Sequence, residues 1–170
     1  MNLKVSRNYL EIESLENLKS TNKPNLKCKI ELLDPPNFKL NQFFYKQIGK
    51  DHRWIDRLEW SDQKWINYAE NKNVKTFIFK NGNDLAGYYE EVFHEKDNNI
   101  EIAYFGVLKE YYGKGFGSFL LSEAIKNCFK KNIKKVWLHT CSLDHKNALN
   151  NYLSRGMKIY KSETLDVNVN

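Results

Sequence analysis

Residues 101–118 read Glu-Ile-Ala-Tyr-Phe-Gly-Val-Leu-Lys-Glu-Tyr-Tyr-Gly-Lys-Gly-Phe-Gly-Ser, and this stretch decides the predicted fold. Residues 100–108 are apolar on both faces apart from Glu101, which is typical of a buried strand. A glycine-rich turn follows and opens an amphipathic helix, predicted over residues 115–131. Because glycine has no Cβ, a ligand can approach this backbone closely. Successive N–H groups at a helix start favour anions, so the stretch predicts a site for a pyrophosphate.

Two other nucleotide motifs do not match this turn. A P-loop requires G-x-x-x-x-G-K-[ST], a spacing that is absent here. A dinucleotide fingerprint requires G-x-G-x-x-G, whereas Gly113, Gly115 and Gly117 run G-x-G-x-G. A turn that only packs a helix on a strand stays the alternative interpretation.

The flanking sequence predicts an α/β (α+β) arrangement with helices on the faces of a mixed sheet. Ser61 is a plausible cap for the second helix, and Asn-Gly at residues 81–82 predicts a tight hairpin. We expect one domain over residues 1–170, with an N-terminal extension at 1–26 and a tail at 163–170. The predicted strands cover residues 28–32, 74–80, 85–93, 100–108, 135–140 and 157–161, and the predicted helices cover 37–48, 61–71, 115–131 and 146–154.

Composition narrows the class of protein. The chain has 170 residues, 41% hydrophobic residues and a net charge of +6, which is typical of a globular domain. It contains neither a long apolar run nor a secretory signal, so we expect a cytoplasmic protein without membrane contact. Three widely spaced cysteines predict reduced thiols and no metal site. The basic residues predict a solvated surface or a positive rim around a polyphosphate. They do not cluster with aromatic residues as nucleic-acid binding requires, so we expect no nucleic-acid partner.

Residues 112–117, Tyr-Gly-Lys-Gly-Phe-Gly, resemble the acyl-CoA loop [Arg/Gln]-x-x-G-x-[Gly/Ala] of the GCN5-related N-acetyltransferase (GNAT) superfamily. The sequence departs from that pattern at Tyr112, where the family has Arg or Gln. Downstream, Ala-Leu-x-x-Tyr at 148–152 and Gly-Met at 156–157 are similar to the next helix and strand of the family, with Met157 in place of Phe. The Trp-rich segment 54–65 and His-Thr-Cys-Ser-Leu-Asp-His at 139–145 resemble one bacterial subgroup. The resemblance covers about residues 37–161.

The resemblance implies a mostly antiparallel sheet, splayed at its centre, that holds acetyl-CoA between two parallel strands and contains no metal. The pantetheine arm is expected to pair with the backbone of Phe105, Gly106 and Val107, with a bulge at Gly106. Further cofactor contacts are expected from His145 and from Asn147, although His145 is equally consistent with a structural role at a helix start. The pyrophosphate is expected on N–H groups of Tyr112, Gly113, Lys114, Gly115, Phe116, Gly117 and Ser118.

The same resemblance implies direct transfer to an amine, which needs a proton acceptor and a proton donor. Glu101 is the candidate general base, acting through water; the alternative is an exposed carboxylate at the start of its strand. Tyr152 is the candidate general acid; the alternative is a packed tyrosine. His139 is interpreted mainly as a packed or hydrogen-bonded residue, and nothing supports a Cys141–His139 nucleophile.

The Trp-rich segment 54–65 is expected to form one wall of the acceptor site, because aromatic rings with carboxylates suit a cationic amine. For any one of these tryptophans, helix packing is the alternative. The acceptor is expected to be a small-molecule or peptide amine, and a homodimer is possible. An acyl-CoA sensor with little transfer activity is the alternative function. The candidate acceptor contacts are Trp54, Arg57, Trp60 and Tyr104.

Overall fold

A computed structural model describes residues 2–168, which form a seven-stranded sheet and four α-helices. The strand order is β2-β3-β4-β5-β6-β1-β7. Neighbouring strands are antiparallel except β5 and β6, which are parallel. The strands are β1 (Asn2–Ile12), β2 (Cys28–Leu32), β3 (Val74–Asn81), β4 (Asp84–His94), β5 (Asn99–Val107), β6 (Lys135–Cys141) and β7 (Lys158–Asn168), and the helices are α1 (Phe38–Gly49), α2 (Asp62–Ala69), α3 (Phe116–Cys128) and α4 (Ala148–Ser154).

The two ends of the chain differ from the sequence prediction. Residues 2–12 are not an extension: β1 pairs with β6 on one side and β7 on the other. The prediction of a tail at residues 163–170 is also wrong for residues 163–168, because β7 continues to Asn168. Residues 1, 169 and 170 lie outside the described part. Val5 is buried on one face of β1, and Leu10 and Ile12 are buried on the other, so its buried side chains do not show a period of two.

Helices cover both faces of the sheet, which confirms the predicted fold class. Tyr88 and Tyr89 of β4 point to opposite faces because side chains alternate along a strand. Tyr88 packs with Phe44 and Ile48 of α1, whereas Tyr89 belongs to the larger core beneath α3 and α4. The predicted cap of α2 is present, since Ser61 Oγ accepts the Lys64 N–H at 3.2 Å.

The sheet opens between its two parallel strands. Pairing of β5 with β6 is confined to residues 99–101 opposite 135–137, although β5 continues to Val107 and β6 to Cys141. The two strands therefore separate beyond Glu101 and leave a cleft that exposes backbone groups of both. This is the central splay that the resemblance implied.

The bulge in β5 lies at Ala103 and not at Gly106, where it was predicted. Glu91 faces Ile102 and Glu90 faces Tyr104, which leaves Ala103 as the extra residue. Glycine at position 106 has a different cause: a Cβ there would lie 2.7 Å from Ile48 Cγ2 of α1. Gly106 therefore lets α1 pack closely on the splayed strand.

Candidate functional site

The cleft between β5 and β6 holds a cavity of about 370 Å³. Its walls come from β1, β5, β6, α4, the end of α1, the start of α3 and three loops, which join α1 to α2, β5 to α3, and β6 to α4. Most of the predicted site residues line this one cavity: Trp54, Tyr104, Phe105, Gly106, Val107, Tyr112, Gly113, Gly115, Gly117, Ser118, His145, Asn147 and Tyr152.

Five predicted residues lie outside this lining. Lys114 turns its ammonium to the carbonyl oxygen of Glu110 at 2.9 Å. The Phe116 ring is buried against Tyr111, with ring centroids 4.7 Å apart. Their backbone N–H groups belong to the glycine loop, but their side chains are not cavity contacts. The other three are Glu101, Arg57 and Trp60.

The glycine loop needs glycine because of its backbone conformation. Gly113 and Gly115 have φ values of +70° and +81°, a region that side chains disfavour. A Cβ at either position would have no atom within 4 Å, so crowding by the protein is not the reason. Gly115 begins α3 without any side-chain cap, and the first N–H groups of a helix lack intrahelical partners. The loop therefore presents backbone donors at one end of the cavity.

Three side chains from three loops meet beside the glycine loop. His52 Nε2 lies 3.3 Å from the Tyr112 hydroxyl, and the Tyr112 ring lies 4.6 Å from the His145 ring. The Asn147 N–H donates to His145 Nδ1 at 3.1 Å. Burial lowers the pKa of His145, and the neighbouring His52 and Lys146 lower it further.

Tyr152 places its side chain in the cavity from α4. It is 8% exposed, and its ring lies 6.3 Å from that of Phe105 on β5. Burial raises the pKa of Tyr152, and the Asp144 carboxylate adds to the effect. The hydroxyl therefore keeps its proton at neutral pH and is available as a donor.

A second part of the cavity lining combines aromatic rings with carboxylates. The rings of Trp54 and Tyr104 are 4.8 Å apart and edge-on. Trp54 Nε1 donates to Asp144 at 3.4 Å, and the Tyr104 hydroxyl donates to Asp56 at 2.7 Å. Tyr45 donates to the other oxygen of Asp56 at 2.9 Å. Trp54 thus connects the α1–α2 loop to the β6–α4 loop across the cleft.

Glu101 lies at the closed end of the splay and does not line the cavity. Its Oε1 is 3.0 Å from His94 Nε2, and its side chain is 18% exposed. His139 of β6, by contrast, is exposed to the cavity. Burial by the walls lowers the pKa of His139, Arg7 acts in the same direction, and Glu101 acts in the opposite one. His139 is thus a neutral imidazole at pH 7, close enough to Glu101 to sense its charge.

Arg57 and Trp60 belong to a buried cluster beneath α1 and α2, which we call the Arg57 cluster. Arg57 donates to Glu90 Oε1 at 2.9 Å and lies 4.7 Å from the centre of the Trp60 ring. Glu90 is fully buried and also accepts from Tyr68 at 2.9 Å and from Asn41 at 2.7 Å. Burial disfavours the guanidinium charge, but Glu90 more than offsets this and raises the pKa of Arg57. The expectation that Arg57 and Trp60 contact the acceptor is therefore not supported.

Sequence reasoning missed several cavity residues because no local pattern marks them. Asp144 is in a loop where no periodic pattern is present. His52 precedes the Trp-rich segment, and a single histidine there carries no signal. Arg7 is visible only once β1 is placed beside β6. The missed polar residues include Arg7, His52, Asp144 and Asn151.

Within residues 2–168, no group of three or more His, Cys, Asp or Glu side chains is arranged to hold a metal ion. The helices in this part of the chain are all too short or too polar to cross a membrane.

Comparison with known proteins agrees with this geometry. The model of the acetyltransferase (GNAT) family matches residues 37–157. No curated protein matches the chain. A GCN5-related N-acetyltransferase from Sphaerobacter thermophilus superposes with a TM-score of 0.70 at 15% identity, covering 95% of this chain and 50% of that one; the chain thus spans half the length of that protein.

Two further solved structures share the fold over most of their own length. An aminoglycoside acetyltransferase from an uncultured soil metagenomic sample has a TM-score of 0.65 at 14% identity, covering 78% of this chain and 90% of that one. Spermidine N-acetyltransferase from Vibrio cholerae, in complex with CoA and spermine, has a TM-score of 0.62 at 17% identity, covering 78% of this chain and 81% of that one. At these identities the likeness concerns the fold.

Proposed function

Because the chain belongs to the acetyltransferase (GNAT) family, we propose that it transfers the acetyl group of acetyl-CoA directly to an amine acceptor. One observation carries the proposal: the glycine loop, the splayed edge of β5 and Tyr152 line the same cavity. β5 and the glycine loop follow one another in sequence, and the fold adds Tyr152 from α4.

The loop and β5 have the groups to bind the cofactor. Backbone N–H groups from Tyr112 to Ser118 suit the pyrophosphate, since the start of α3 has positive electrostatic potential. The backbone of Phe105, Gly106 and Val107 is free of a β6 partner and suits the amide-rich pantetheine arm. A β5 N–H in this stretch would polarise the thioester carbonyl. His145 and Asn147 face the same end of the cavity and complete the proposed contacts.

The chemistry forms one bond and breaks one. The amine nitrogen bonds to the acetyl carbon, and the carbon–sulfur bond breaks. Tyr152 donates its hydroxyl proton to the departing thiolate, and the amine proton passes through water to Glu101. His139 is a second candidate for that proton, because it is exposed to the cavity and neutral. Solvent returns a proton to Tyr152 after each cycle.

The aromatic end of the cavity is proposed as the acceptor site. Trp54 and Tyr104 offer ring faces, and Asp56 and Asp144 offer carboxylates. Among residues 2–168 neither carboxylate forms an ion pair within 4 Å with a lysine, arginine or histidine, although both accept neutral hydrogen bonds. An amine entering there would meet negative charge and aromatic surface, as cationic ligands prefer.

A thiol-release assay tests the proposal. The protein is incubated with acetyl-CoA and a panel of primary amines: diamines, polyamines, aminoglycosides and peptides with free N-termini or lysines. Amine-dependent release of free CoA, with acetylated product seen by mass spectrometry, is the expected result. Binding of acetyl-CoA without release for any amine would favour the sensor function instead.

A further inference from the structure

The side-chain cluster at the phosphate end of the cavity departs from the family pattern and has its own chemistry. The loop of the family begins with Arg or Gln, whereas this chain has Tyr112. Two imidazoles lie beside that ring: His52 Nε2 is 3.3 Å from the Tyr112 hydroxyl, and the His145 ring is 5.8 Å from the His52 ring. All three side chains line the cavity next to Gly113 and Gly115.

His145 is arranged as a neutral donor. Its Nδ1 accepts the Asn147 N–H at 3.1 Å, so the ring proton of the neutral form sits on Nε2. Burial, together with His52 and Lys146, lowers the pKa of His145 and disfavours the imidazolium. The Nε2–H of a neutral imidazole is an uncharged donor, as is the side-chain amide of asparagine.

Tyr112 is a second neutral donor. Burial and the nearby Asp51 raise the pKa of Tyr112, so its hydroxyl stays protonated through the neutral range. When that hydroxyl donates to a ligand, its oxygen is free to accept a hydrogen bond from His52 Nε2–H. His52 then fixes the direction of the hydroxyl without touching the ligand.

Charged side chains around the cluster do not restore the missing arginine. The Lys114 ammonium is directed to Glu110 O at 2.9 Å. Arg53 lines the cavity from the same loop as His52 but forms no hydrogen bond with Tyr112 or His145 in the described structure, and Arg7 of β1 is paired with Glu163 at 3.7 Å. Lys146 is not among the lining residues, although it is close enough to lower the pKa of His145.

We infer that Tyr112, oriented by His52, and His145 donate neutral hydrogen bonds to the CoA pyrophosphate, in place of the cationic or amide side chain of the family loop. The inference rests on the proposed function, because it assigns contacts to the same cofactor. It makes phosphate recognition by this loop depend on backbone and neutral donors, without a guanidinium at position 112.

Calorimetric titration with CoA and with pantetheine, which lacks the pyrophosphate, tests the inference on the full chain. Tyr112→Phe and His145→Ala should each weaken CoA binding about ten-fold, the size of one hydrogen bond to a charged group. Neither change should alter pantetheine binding. His145→Asn, which keeps a neutral donor, should bind CoA as the wild type does. Tyr160→Phe is the matched control, because this tyrosine lies on β7 outside the cavity lining.

A variant that places a positive charge at position 112 gives an independent test. Tyr112→Arg should bind CoA more tightly, and its affinity should fall more steeply with added salt, because a guanidinium–phosphate contact is screened. Equal losses for CoA and pantetheine in Tyr112→Phe would show a role in shape only and overturn the inference. So would CoA binding in Tyr112→Phe and His145→Ala that stays within about two-fold of wild type, since less than one hydrogen bond is then lost. A folded wild type that binds no CoA would contradict the proposed function as well.

Discussion

Two aromatic regions of this protein look alike in sequence and differ in structure. In the Arg57 cluster, the rings surround a cation that the chain itself provides, and the cation is paired with the buried Glu90. In the cavity, Trp54 and Tyr104 stand beside Asp56 and Asp144, to which no described lysine or arginine is paired within 4 Å. Tyr104 belongs to both regions: its ring lies 4.1 Å from the Arg57 guanidinium and its hydroxyl binds Asp56.

The difference distinguishes an aromatic cluster that stabilises the fold from aromatic residues that can bind a ligand. Composition is similar in both, because residues 54–65 supply Trp54 to the cavity and Trp60 to the Arg57 cluster, with acidic residues between them. The separation comes from whether the charges are already matched inside the protein. Changes in the Arg57 cluster should therefore cost stability, and changes in the cavity should cost activity.

Arg57→Met should have the largest effect. It leaves the buried Glu90 carboxylate without its cation and should lower the free energy of unfolding by about 3–5 kcal/mol. Urea denaturation measures this. Lys72→Met is the matched control, because it breaks the exposed Lys72–Glu95 pair and should cost under about 1 kcal/mol. If both variants cost the same, the Arg57 cluster is not the closed region described here.

Tyr152→Phe should show the opposite signature. Loss of the hydroxyl removes the proposed proton donor and should lower kcat by about 10- to 100-fold. The ring remains in the core, so we expect the melting temperature and the acetyl-CoA affinity to stay near the wild-type values. Thiol-release kinetics and thermal melting test this together, and an unchanged kcat would remove Tyr152 from the chemistry.

Glu101→Gln and His139→Asn should each lower kcat/KM by about ten-fold at pH 7, since each interrupts the proposed route of the amine proton. The deficit should shrink as pH rises, because more of the acceptor is then already neutral. If the two residues act in series, the double variant should be no slower than the slower single one. If only His139→Asn lowers kcat/KM, Glu101 takes no part in the proton transfer, and its role is limited to its contact with His94.

Trp54→Phe should have the smallest effect. It keeps an aromatic wall but removes the Nε1–H donor to Asp144, so the acceptor KM should rise about three-fold with kcat unchanged, the cost of one weak hydrogen bond. Trp60→Phe is its counterpart in the Arg57 cluster and should leave the KM unchanged. A raised KM in Trp60→Phe would join the two regions into one site.

The glycine loop, β5 and Tyr152 were predictable because each is marked by a local pattern. Glycines at alternate positions, a continuous apolar run and the Ala-Leu-x-x-Tyr helix depend on neighbours in sequence. The interior β1 was not predictable, because its buried residues, Val5, Leu10 and Ile12, are divided between the two faces of the strand.

It was harder to predict where a residue lies in the site than to predict that it belongs to the site. Arg57 was expected at the acceptor because its neighbours are aromatic, but its partner Glu90 lies 33 residues away on β4. The bulge at Ala103 likewise follows from pairing with Glu90 and Glu91, a contact that the sequence of β5 alone does not contain. Long-range pairing of charges and strands therefore decides which residues face the cavity.

The central claim is that the cavity between β5 and β6 holds acyl-CoA on the glycine loop. Calorimetric titration of acetyl-CoA into the wild type, Gly115→Glu and Gly115→Asn tests it most directly. Asn tolerates the positive φ of Gly115 and should retain much of the affinity, so it controls for backbone strain. A glutamate carboxylate should occupy the anion site and reduce affinity by more than about 100-fold, the loss of several phosphate contacts. One saturable site in the wild type, lost in Gly115→Glu, is the result predicted; no binding by a folded wild type, or equal binding by Gly115→Glu, would contradict the account.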